Sequence, residues 1–86
     1  MLKHQERIFT RNYLYHLNRF FEAKDRSQSK HKEIASANKA KMEIEWHIVN
    51  AFKELVKEID SDFAERLYEE HERFVKATYP QHVINK

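Results

Sequence analysis

The chain contains no glycine. At an average usage of about 7%, roughly six would be expected in a chain this long. Glycine alone reaches positive φ without a steric cost, so every turn here must be made from residues that prefer negative φ. Phosphate-cradling loops, nucleophile elbows and dinucleotide-binding fingerprints all need glycine at fixed positions, and none can exist in this sequence. The lone proline, Pro80, stands near the end, where it stops a helix without kinking one.

With 86 residues the chain is read as one domain, 1–86. A domain of this size buries only about 60–65% of its unfolded surface. Cysteine is absent, so neither disulfides nor thiolate metal sites can reinforce it. Good helix packing or self-association is what remains. The missing cysteines suit a reducing compartment. Met1–Phe9 lacks the apolar run of a secretory signal and no stretch approaches a membrane span, so a cytoplasmic protein without a membrane partner is expected.

Three helices are legible in the hydrophobic pattern. The first, about 2–24, places Phe9, Tyr13, Leu14, Leu17, Phe20 and Phe21 on one broad face. Residues 27–32, SQSKHK, interrupt the pattern as a polar connection. The second helix, about 32–59, carries Ile44, Ile48, Phe52, Leu55 and Ile59 at spacings of 4, 4, 3 and 4, widened by Val49, Ala51 and Val56. That stripe is expected to face the core. Asn38, Lys41 and Glu45 break the same face nearer its start, so that half either projects beyond its neighbours or meets a polar partner.

Asp60-Ser61-Asp62 supplies N-cap chemistry for a third helix, about 62–78, with Phe63, Leu67, Phe74 and Val75 inward. A polar tail, 80–86, closes the chain. Two long helices with a short connection should lie antiparallel, so the expected fold is all-α: a long antiparallel helical hairpin with a third helix packed across it.

Charge is unevenly spread. Residues 1–41 hold ten Lys/Arg against four Asp/Glu, a balance of +6; residues 42–86 hold six against ten, a balance of −4. On the back of the first helix, Ile8 and Tyr15 project away from the core face among Arg11, Asn12 and Arg19. An aromatic and an isoleucine in an arginine field have the composition of an interface hot spot, so these five residues are the candidate partner-binding site. Around the first connection, Lys24, Arg26, Lys30, Lys32, Lys39 and Lys41 are candidate phosphate contacts.

Catalytic and metal chemistry find less footing. A di-iron bundle needs Glu three residues before its ligating histidines, and none of the six histidines has one. No two histidines stand four apart to make a helical zinc site. His71, between Leu67 and Phe74, reads as a hydrogen-bonded core histidine, and Trp46 as a packing residue against the third helix. Glu65, Glu69, Glu70 and Glu72 read as a solvated face.

Arg11-Asn12-Tyr13-Leu14-Tyr15-His16 resembles the short Arg-x4-His motif of HEPN ribonucleases, a helical and usually dimeric family. There the motif falls late in a longer chain, whereas here it lies in the first helix. A five-residue step separates the two side chains by about 140°, so without a dimer partner they share no face.

The expected function is therefore that of a non-enzymatic interaction protein: an adaptor, inhibitor or regulator that docks a protein partner, of a kind suited to phage or plasmid accessory factors. It needs no cofactor and no metal. Self-association as a homodimer follows from the small core, the second apolar surface and the charge asymmetry. The alternative is a nucleic-acid-binding regulator that uses the basic first half.

Overall fold

The computed structural model describes residues 2–83. They form three α-helices, α1 (Lys3–Arg26), α2 (Lys32–Ile59) and α3 (Ser61–Thr78), followed by a short 3-10 turn, Pro80–His82. Helices α1 and α2 pack tightly as a hairpin and α3 lies across it.

No described residue has positive φ, so the glycine-free chain turns with negative-φ conformations alone over this span. At the end of α1, Ser27 stays near helical geometry (φ −67°, ψ −12°), and its Oγ donates to the Lys24 carbonyl at 2.6 Å. Lys24 and Arg26 lie in that last turn, where cations complement the helix dipole. The second bend needs a single residue. Asp60, extended at φ −155° and ψ 93°, ends α2, and its carboxylate accepts a 3.1 Å bond from Phe63 N–H at the start of α3. This is the N-cap expected from the Asp60-Ser61-Asp62 run.

Tyr13, Leu17, Val49 and Val56 are fully enclosed at the centre. Phe9 meets Phe52 edge-on at 4.8 Å and Phe63 at 5.9 Å, which ties all three helices together. His71 is hydrogen-bonded to the core as expected, though half-buried: its Nδ1 lies 2.6 Å from the Tyr13 hydroxyl.

Helix α2 is turned relative to the sequence expectation. Val49 and Val56 are buried with Glu45, and Phe52 packs against them, whereas Ile44, Leu55 and Ile59 are 61%, 49% and 62% exposed. Two apolar stripes lie side by side on this helix, one residue or about 100° apart. The stripe 45-49-52-56 faces the core: Phe52 meets the Phe9 and Tyr13 rings, and Glu45 bonds His16 and Arg19. Of the stripe 44-48-51-55-59, Ile48 is partly buried and the other four are left at the surface.

Two further expectations are corrected. Trp46 packs on α1 rather than α3: its indole lies 4.8 Å from the Phe20 ring, with the Lys53 ammonium 5.5 Å above it. The tail after Thr78 is not simply polar chain. Tyr79 is buried and stacks on Phe21 at 5.0 Å, its hydroxyl bonds Asn18 Oδ1 at 2.6 Å, and His82 stacks on Phe21 and bonds Asp25 at 2.7 Å. Residues 84–86 of that expected tail lie outside the described residues.

Candidate interaction surface

Winding α1 and α2 at 100° per residue shows which surfaces share a side of the hairpin. On α1, residues 9, 16 and 20 point toward α2, while 13, 17 and 21 point toward α3 and the closing turn. On α2, residues 45 and 52 meet α1, and 53 and 56 lie nearer α3. The side of the hairpin turned away from α3 is then formed by Ile8, Asn12, Tyr15 and Arg19 from α1 and Ile44, Ile48, Ala51, Leu55 and Ile59 from α2.

The two halves of this face are joined by a four-residue network. Arg19 Nε donates to Glu45 Oε1 at 2.7 Å, and His16 Nδ1 lies 2.7 Å from Glu45 Oε2. Arg19 Nη1 also reaches the Tyr15 hydroxyl at 3.3 Å, and its guanidinium sits 5.6 Å from the Tyr15 ring centre. Glu45 is only 5% exposed. Burial pushes its carboxyl pKa up, but the bonds from Arg19 and His16 outweigh that and hold it below the usual carboxylate range. The interruption that Glu45 made in the apolar pattern is thus a polar partnership with α1. The first turns of α2 also project: from Lys32 to Ile44 only Ala35, Asn38 and Met42 are even partly buried.

The five candidate partner-binding residues fall into two groups. Ile8, Arg11, Asn12 and Tyr15 are exposed on α1. Arg19 is held inward by Glu45, so it shapes the face and fixes Tyr15 instead of reaching outward. Sequence reasoning missed the larger part of the surface, the α2 stripe. Its signal was present in the second run of apolar residues one position away from the first.

The candidate phosphate contacts do not converge. Lys24 is partly buried on α1, Arg26, Lys30 and Lys32 surround the first connection, and Lys39 and Lys41 are exposed on α2. Two residues apart on a helix, Lys39 and Lys41 point about 160° away from each other. Arg11 and His16 are likewise split: the first is exposed, the second is bonded to Glu45.

Among the described residues no group of three His, Asp or Glu could hold a metal ion, and no helix is long and apolar enough to cross a membrane. In comparison with known proteins, no family model matches the chain, and no curated protein and no solved structure matches it.

Proposed function

We propose that this chain is a non-enzymatic interaction protein that docks a helical protein surface on the side of the α1–α2 hairpin turned away from α3. One observation carries the reading: Ile44, Leu55 and Ile59, each about half exposed or more, line up with Ile48 beside Ile8 and Tyr15. Isolated exposed apolar residues are ordinary, but a contiguous apolar face marks a site that another surface covers. The spacing 44-48-51-55 is the 4-3-4 step by which one helix seats its side chains between those of another, so the fitting partner is itself helical. The tyrosine clamped by Arg19 adds a rigid aromatic anchor at the edge.

The nucleic-acid reading has less support, since its lysines point in different directions. Anisotropy with short labelled DNA or RNA tests it directly, because phosphate neutralisation weakens steeply with added salt.

Photo-crosslinking tests the protein-docking reading. A benzophenone amino acid placed at Ile44 or Leu55 should give discrete crosslinked products in cells that express the chain. The same probe at Glu69 or Lys76, exposed on α3, should not. Absence of products from α2, or equal yields from both helices, would reject the docking face.

A further inference from the structure

We infer that the helical surface covering this face is a second copy of the chain, related by a twofold axis parallel to the helices, so that α2 of each copy lies against α1 of the other. The inference rests on the docking reading above and adds the identity and orientation of the occupant.

The size of the face fits. On α2 the face runs from Ile44 to Ile59, about 24 Å at 1.5 Å per residue, and it is about 20 Å across two packed helices. That is roughly 480 Å² in projection, and side chains standing out of the plane expose more than their projection, which brings the face toward the ~600–800 Å² that each partner of a standard-size interface contributes.

The distribution of charge selects the axis. The outer edge of α2, away from α1, carries Glu54 and Glu58 with His47 between their turns and the next acid, Glu43. The outer edge of α1, away from α2, carries Arg11 with His4 and Arg7, and Glu22 further along. The hairpin face therefore runs from a basic edge, across an apolar centre, to an acidic edge. Rotation about an axis parallel to the helices lays the acidic edge of one copy on the basic edge of the other. Rotation about an axis in the face but perpendicular to the helices would set acidic against acidic and basic against basic.

Contacts within the hairpin set the levels. Phe9 meets Phe52, His16 bridges Glu45 and Phe52, and Arg19 meets Glu45. Ile8 thus stands level with about residue 55, Arg11 with about 53 and Tyr15 with about 49. In the parallel-axis dimer, Leu55 meets Ile8 of the second copy, Ile48 meets Tyr15, and Glu54 faces Arg11. Each helix then has antiparallel neighbours on both sides, as in an up-and-down four-helix bundle.

The absence of native cysteine makes the test clean. Sedimentation equilibrium of the wild-type chain at about 50 µM, a concentration suited to a standard-size interface, should give the dimer mass. Leu55→Asp should raise the dissociation constant at least about 100-fold with unchanged helical circular dichroism, because Leu55 lies outside the monomer core. Ile8→Cys and Leu55→Cys proteins, mixed and oxidised, should form the mixed disulfide in preference to either homodisulfide. Glu54→Arg and Arg11→Glu should each weaken the dimer, and the double variant should recover it.

A monomeric wild type overturns the second-copy proposal, yet it leaves the docking reading standing if the α2 crosslinks go to another protein. A dimer that forms mainly the Leu55→Cys or Ile48→Cys homodisulfide, or whose charge exchange gives no recovery, overturns the orientation. Loss of the crosslinks as well sinks both.

Discussion

Acidification should act first on His71. Its half-buried ring lies against Tyr13 of α1, with Lys53 of α2 and Tyr68 and Glu72 of α3 nearby. Burial, helped by the Lys53 ammonium and opposed by Glu72, pushes its pKa down from 6.5 to about 4. The folded chain thus holds a neutral ring at pH values where the unfolded chain takes up a proton. Above about pH 6.5 neither state is protonated there, and the contribution to stability is complete. As pH falls from 6.5 toward 4 the unfolded state gains a proton that the folded state resists, so stability is lost across that window and the loss levels off below it.

The full gap sets a ceiling of about 3 kcal/mol at 1.36 kcal/mol per pKa unit; solvent screens the partly exposed ring, so about 1–2 kcal/mol should be lost between pH 7 and 4.5. For a chain this size that is a large share of the ~5–15 kcal/mol typical of folded domains. The assay is urea unfolding at the two pH values for the wild type and for His71→Phe, whose ring cannot titrate. Carboxylates and the other histidines act in both proteins and cancel in the comparison. A His71→Phe protein that loses as much stability on acidification as the wild type would refute the assignment.

Three other perturbations probe the fold at separate points. Leu17→Ala, which opens a cavity among fully enclosed side chains, should cost about 2–5 kcal/mol in denaturant unfolding. Glu45→Gln keeps the shape but removes the charge that Arg19 and His16 address; it should cost about 1–3 kcal/mol near neutral pH and blunt any loss of stability at pH values below the usual carboxylate range. Asp60→Ala removes the cap at the one-residue bend and should lower the melting midpoint by about 5 °C, with Asp60→Asn recovering most of it.

Much of the architecture was legible from periodicity. The three apolar runs, the polar SQSKHK connection and the Asp60 cap all correspond to observed elements, because helix period and capping chemistry are local properties. The rotation of α2 was not local. Its apolar residues cover two adjacent stripes, and period alone cannot choose between Val49 with Val56 and Ile44 with Leu55. What decides is the partner: Phe9 and Tyr13 of α1 pack on Phe52, and Arg19 and His16 satisfy Glu45 on the same side.

The candidate surface was half legible for the same reason. Ile8 and Tyr15 stood out because they oppose an unmistakable core face. The exposed isoleucines of α2 were hidden by looking like core. Arg19 looked outward in the pattern, and only its contact with Glu45 across 26 positions turns it inward. The closing turn was invisible for another reason: Tyr79 and His82 dock on α1 residues about sixty positions earlier, and no periodic signal spans that distance.

A backbone that never visits positive φ among the described residues has a consequence for how the chain tolerates change. In most small proteins some positions resist substitution only because glycine or asparagine must hold a left-handed turn. No described position here has that reason to be intolerant. Saturation mutagenesis scored for folding should therefore return a map of side-chain burial, broken only by the Asp60 cap and by proline within the helices. Scored instead for association, positions that are tolerant in the first map and intolerant in the second would trace the outline of the docking face.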